Sequence, residues 1–510
     1  MASFISVLFP EPDAKAGSET APDCFPDLHL DDIVAAVTTG THNEHLPRFF
    51  HTSLRKISTV EYRQRVFHDL QHPETHDLIA RFVDDIAAMR RQLQRANTLF
   101  HPLQRQGWFI SAVESYCKAI TRLREGLLRV RPTSHGLATF CDYVAAYCGS
   151  DTFGNLASDT AAVQAQLHQV RYTVHIQGLK VHVDTFTNQS DYSLGVVDTF
   201  ERFATEARDD YHIAFKNYPD MNHVEEQILE CVAKLYPDTF SLLAAYCGRQ
   251  QHFIEPTIGR FEREVRFYLA YLDFIHRFAS AGLPFTYPEM TAEPGALAVD
   301  GAFDLALAIK SVPDDIPVVS NDFRLSGVER ILVVTGPNQG GKTTFARTIG
   351  QCAYLASLGC PIPARHASVM LPDHIYTHFE RQETLTTLHG KLDDELVRIH
   401  DILSDATAAS IIVMNESFSS TTVNDALLIG TEVLQRIIDL GCAAVYVSFL
   451  DELADLSPAC VSMVGDVAPE DPTQRTFTFT RRPADGLAYA AALADKYGLN
   501  HDVLRQRVSR

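Results

Sequence analysis

One stretch, residues 331–351 with the sequence ILVVTGPNQGGKTTFARTIGQ, constrains this chain more than any other. A β-branched apolar run leads into a glycine-rich turn and then into a helix-compatible segment, the order of signals that a phosphate-binding P-loop requires. Residues 336–343 fit the pattern GxxxxGK followed by Ser or Thr. Glycines let backbone N–H groups close around phosphate oxygens, and the helix N-terminus adds a favourable dipole. On this reading Lys342 reaches the β and γ phosphates, and the Thr343 hydroxyl ligates Mg²⁺.

With 510 residues there is room for two to four domains. Hydrophobic content of 46% and charged content of 21% describe a globular protein, neither disordered nor fibrous. No apolar run approaches the roughly 18 residues needed to span a bilayer. The N-terminal MASFISVLFPEPDAKAG lacks a basic lead and is interrupted at Pro10 and Glu11, so it does not read as a secretion signal. Ten cysteines are scattered singly from Cys24 to Cys460 with no CxxC pair. That spacing points to reduced thiols in a cytoplasmic protein and argues against a zinc site. The net charge of −20 excludes passive coating of nucleic acid. Any nucleic-acid binding must come from a local basic patch or an enclosing shape.

Ahead of the loop the chain reads as helical. STVEYRQRVFHDL opens with an expected capping box, Ser58 with Glu61 three positions on. After Pro73, Leu78, Ile79, Phe82, Val83, Ile86, Met89 and Leu93 recur at helical spacing, with Arg90, Arg91 and Arg95 outside the stripe. The arginines read more simply as a solvated face than as a nucleic-acid contact. Residues 107–131 and 155–172 continue the helical pattern. YTVHIQGLKVHVD then alternates around Gly178, the mark of two short strands and a tight turn. His175 and His182 fall on its polar face. FEREVRFYLAYLDFIHRF predicts a helix buried on most of its surface, and TAEPGALAVDGA reads as a linker.

After the linker, SIIVMNESF supplies a buried strand at residues 411–414 followed by Asn415 and Glu416. In ABC-type ATP sites the first of these positions is normally Asp, holding Mg²⁺ through water, and the second is the Glu that orients the attacking water. Asn415 accepts hydrogen bonds but brings no charge. ETLTTLHGKLDDELVRIHDIL places Thr386 and Thr387 at the head of an amphipathic helix. AAVYVSFLDELADL is a further buried strand that leads to Phe449, where such sites usually carry a histidine.

TGPNQGGKTT, TTLHGKL, NESFSSTTVNDA and the terminal GLAYAAALADKYGL together resemble the MutS family of DNA mismatch-repair ATPases. The loop is close to that family's TGPNxGGK form, and the clear motifs cover residues 330–498. The resemblance implies an α+β multidomain fold: a mostly α-helical core, lever and clamp region followed by an ABC-type α/β P-loop ATPase domain. The expected divisions are an N-terminal segment at 1–57, a helical domain at 58–290 with a β insertion near 172–184, a linker and domain start at 291–325, and the ATPase domain at 326–510. The nucleotide-binding positions are Gly336, Pro337, Asn338, Gln339, Gly340, Gly341, Lys342, Thr343 and Thr344. Glu416 is expected to be catalytic together with Lys342, Thr386 and Thr387 to act on a partner subunit's nucleotide, Thr343 and Asn415 to serve Mg²⁺, and Asp425 to close the loop after the catalytic strand.

The resemblance further implies ATP and Mg²⁺ as cofactors, a homodimer with ATP at its interface, and non-sequence-specific binding of duplex or branched DNA by a helical clamp. Two departures bear on that expectation. About 55 residues precede the first core-like helix, too few for the family's mismatch-wedge domains, and no nuclease extension is expected after Arg510. Two other functions stay open at this level: an ATPase acting on a ribosome or another protein or ribonucleoprotein partner, and a slow nucleotide-binding scaffold.

Overall fold

The computed structural model describes residues 4–12, 17–40, 45–189, 221–380 and 390–484. It is α+β and divides into two compact units, Met1–Phe4 with Asp77–Arg131 and Thr139–Glu262, and Ile5–His76 with Pro132–Ala138 and Arg263–Arg510. No helix among the described residues is long and apolar enough to cross a membrane.

The first unit is built on helices. Helix Pro73–Thr98 buries Ile79, Phe82, Val83, Ile86 and Met89, one stripe of its surface. Helices Pro102–Val130, Asp151–Gln169 and Pro237–Arg249 pack on one another. In the same unit the rings of Phe140, on helix His135–Cys148, and Phe261, on helix Pro256–His276, stack with centroids 3.4 Å apart. The basic cluster is partly spent inside this unit. Arg90 donates to the buried Glu262 carboxylate at 3.1 Å, and the Arg95 guanidinium sits 5.2 Å from the centroid of the Trp108 ring. Strands β1 (Tyr172–Gln177) and β2 (Lys180–Thr185) pair antiparallel, with Gly178 at φ 62° in the turn and His175 opposite His182. Ile176 and Leu179 are exposed on this hairpin.

The second unit carries two sheets. One is four-stranded, in the order β3 (Glu289–Thr291), β7 (His366–Met370), β4 (Leu297–Ala302) and β5 (Asn321–Leu325). Its existence corrects the reading of TAEPGALAVDGA as linker. Leu297, Val299 and Ala302 are buried, and β4 is paired on both sides, with β5 and with β7. The other sheet has six strands: β12 (Asp471–Arg481), β11 (Cys460–Ala468), β6 (Ile331–Thr335), β10 (Ala443–Val447), β9 (Ile411–Asn415) and β8 (Ile375–Phe379). Neighbours from β11 to β8 run parallel, and β12 returns antiparallel. All five residues of β6, β9 and β10 are buried, as expected of parallel strands covered on both faces. Each fully buried Ile, Val or Met among them contributes about 1.5–3 kcal/mol.

The expected capping box at Ser58 does not form. Helix Ile57–Gln71 starts two residues earlier, with Lys56 in extended backbone as its cap and no side-chain cap bond. The Lys56 carbonyl accepts from Thr59 and Val60, and its ammonium meets the exposed Glu11 carboxylate at 2.8 Å. The same helix presents Arg63, whose buried guanidinium donates to the carbonyls of Leu8 and Leu358. Helix Pro256–His276 is buried nearly all round, from Phe261 to Ile275.

Candidate functional site

Strand β6 ends at Thr335, and the chain turns through Gly336 at φ 130°, Gln339 at φ 60° and Gly341 at φ 88° before helix Lys342–Ser357 begins. At Gly336 both dihedral and neighbour demand glycine: a Cβ there would stand 2.9 Å from the backbone nitrogen of Gly465 on β11. The loop is therefore drawn tight across the C-terminal end of the parallel strands, where open α/β sheets carry their ligands.

The Lys342 ammonium folds over this loop, donating to Gly336 O at 3.1 Å, Pro337 O at 3.3 Å and Asn338 Oδ1 at 3.3 Å. Burial pulls Lys342 below the ordinary lysine value, the Glu416 carboxylate opposes that shift, and the Arg475 charge adds to it. Arg475 itself donates from Nε to Asn338 O at 3.3 Å. The Thr343 hydroxyl donates to Asn415 Oδ1 at 2.9 Å, which joins the start of the helix to the end of β9. These are neutral oxygen donors of the kind that Mg²⁺ accepts, with one charge fewer than an Asp would give.

Glu416 follows directly, at φ 51°, its N–H bonded to Val447 O at 3.0 Å on β10. Lys342, Thr343, Thr344, Gln339, Gly340, Gly341 and Glu416 line one cavity of about 510 Å³. Its other wall is apolar and was not foreseen from the sequence: Leu307, Ile316, Pro317, Val319 and Phe477. Phe477 is half-exposed at φ 60°, an uncommon backbone for an aromatic residue. Asn321 holds it there, donating from Nδ2 to Phe477 O at 3.0 Å and accepting Phe479 N–H at 2.7 Å. Gly341 leaves room for the ring, since a Cβ there would lie 3.3 Å from Phe477 Cδ1. No local signal marks this pair, whose members stand 156 residues apart.

Thr422 caps helix Val423–Leu440, accepting the Asp425 N–H on Oγ1 at 3.2 Å, and its hydroxyl donates to the Asp425 carboxylate at 2.8 Å. Phe449 follows β10 and is half-exposed. Thr386 and Thr387 lie outside the described residues.

Residues 332–504 match the family model described as MutS domain V. The DNA mismatch repair protein MutS of Chlorobaculum tepidum is 27% identical over 295 residues, 56% of this chain and 33% of that protein. The protein of that name from Chlorobium phaeobacteroides is 24% identical over 350 residues, 68% of this chain and 38% of its own length. DNA mismatch repair protein MSH4 of Arabidopsis thaliana is 30% identical over 173 residues, 34% of this chain and 21% of its own length. The chain spans about a third of the length of the MutS relatives it matches.

Proposed function

We propose that this is a MutS-type chain, as the match of residues 332–504 to MutS domain V supports, that the cavity beside Lys342 binds ATP and hydrolyses it slowly, and that hydrolysis switches the helical half on DNA. The observation that carries this reading is convergence: Lys342, Thr343 and Glu416 come from two distant segments and line one cavity. Gly336, Pro337, Asn338, Gln339, Gly340, Gly341, Lys342, Thr343 and Thr344 hold the phosphates. The base occupies the apolar wall formed by Ile316, Pro317, Val319 and Phe477.

Lys342 is pre-positioned, since phosphate oxygens replace the three loop oxygens its ammonium now contacts. Glu416 holds and polarises the water for in-line attack on the γ-phosphate, and Lys342 with the loop amides stabilises the developing charge. Thr343 and Asn415 would hold Mg²⁺, which would neutralise phosphate charge. Asn415 brings no charge, and Phe449 brings no polar group to the end of β10, so turnover is slow. Thr386 and Thr387 serve a nucleotide across a homodimer interface.

Glu416→Gln tests the reading. Phosphate release should fall to background while ATP stays bound; unchanged turnover would remove Glu416 from the role of base. DNA as the target follows the names of the relatives, all DNA mismatch repair proteins. The net charge of −20 favours a second target, a protein or ribonucleoprotein. Binding to duplex, branched and single-stranded DNA across a salt series separates the two, and absence of binding at low salt would select the second.

A further inference from the structure

The three residues after β9 form a turn that does not hold itself. Glu416 sits at φ 51° and Phe418 at φ 65°, left-handed conformations that cost an ordinary side chain energy and persist only when the surroundings over-determine them. Two buried side chains from other elements grip this turn. Glu395, in helix Lys391–Asp405, accepts the Phe418 N–H on Oε2 at 3.0 Å. His378, in β8, places Nδ1 at 3.0 Å from Ser417 Oγ. A buried carboxylate is costly to keep; the Lys391 and Arg398 charges favour it, and its bond to the Phe418 N–H ties it to this turn. The Phe418 ring is itself in the core, among Ile399, Met414 and Leu453, so the turn is fixed from below as well as from its sides.

We infer that Glu395 and His378 are positioning residues for Glu416, holding the Glu416–Ser417–Phe418 turn so that the Glu416 carboxylate faces the nucleotide cavity. This rests on the proposed role of Glu416 as base. Neither side chain lines the cavity, so neither touches ATP. Their loss acts on the chemical step and spares nucleotide binding. A misplacement of the base by about 1 Å is enough to cost about a hundredfold in rate.

The test compares Glu395→Ala, Glu395→Gln and His378→Ala with the wild-type chain in steady-state ATP turnover, nucleotide affinity and thermal unfolding. Hydrogen exchange of the peptide spanning residues 415–420 is followed alongside. Glu395→Ala should lower kcat about tenfold to a hundredfold with KM and ADP affinity within about twofold, and speed exchange in that peptide. Glu395→Gln keeps the acceptor oxygen and should restore both. His378→Ala should act in the same direction as Glu395→Ala. The inference is overturned if Glu395→Ala turns over like wild type. It is equally overturned if kcat, affinity and melting temperature fall together, the mark of a merely structural role. A wild-type chain that binds ATP without any turnover would instead remove the reading of Glu416 as base, and this inference with it.

Discussion

Restoring a carboxylate at Asn415 has a consequence that can be worked from the geometry. Asn415 Oδ1 lies 2.9 Å from the Thr343 hydroxyl, so a cation held by that hydroxyl has Asn415 beside it. At a separation of about 4 Å, two unit charges are worth about 1 kcal/mol in bulk water and about 4 kcal/mol at the effective dielectric of a protein surface. A divalent ion doubles both values, which gives about 2 to 8 kcal/mol before the desolvation of the new carboxylate is subtracted. The adjoining Glu416 repels a second carboxylate and reduces the gain further. The lower figure alone, about 2 kcal/mol, is about thirtyfold in affinity. Asn415→Asp should therefore lower the Mg²⁺ concentration that half-saturates ATP turnover by about tenfold or more, and raise turnover at limiting Mg²⁺. The assay is phosphate release titrated with MgCl₂ at fixed ATP. Superimposable Mg²⁺ curves for the two proteins would show that Asn415 does not face the metal.

Gly336→Ala forces a side chain into φ 130° against the backbone of Gly465, and should destabilise by about 1–3 kcal/mol in denaturant unfolding while abolishing nucleotide binding. Arg63→Ala orphans the carbonyls of Leu8 and Leu358 and removes the cation from the Phe9 and Phe267 rings, so unfolding free energy should drop by on the order of 3 kcal/mol. Burial raises the Glu395 carboxyl above its ordinary value of 4.5, with the Phe418 N–H bond partly opposing. Protonation then favours the folded chain: its contribution is present below the unfolded value and is lost as the pH rises through the higher folded value. Urea unfolding measured from pH 4 upward should show wild type losing stability relative to Glu395→Gln across that window, and a constant difference would contradict the shift.

Legibility followed contiguity. The loop at residues 336–343, its preceding strand and its helix occupy one short stretch, so local pattern alone carries them. Glu416 was visible because five buried residues in a row precede it in β9. The apolar wall was not visible, because Asn321 and Phe477 meet only through the pairing of distant strands. The grip on Phe418 escaped notice for the same reason, Glu395 lying 23 residues upstream on another element. Strand β4 reads locally as linker since Pro294 and Gly295 stand just ahead of it and it contains a glycine, signals of a break. At Ser58 the helix begins two residues ahead of the capping sequence, so the Ser58 hydroxyl falls inside the first turn and not at its cap.

On the proposed function, the loop under Lys342 holds the phosphates of ATP. Isothermal titration of the full chain with ATP and Mg²⁺, beside Lys342→Ala, tests it most directly. One saturable site per chain in the wild type, weakened about a hundredfold or more in Lys342→Ala, is the expected result. Equal affinity in the two proteins, or no binding by the wild type at millimolar ATP, would contradict it.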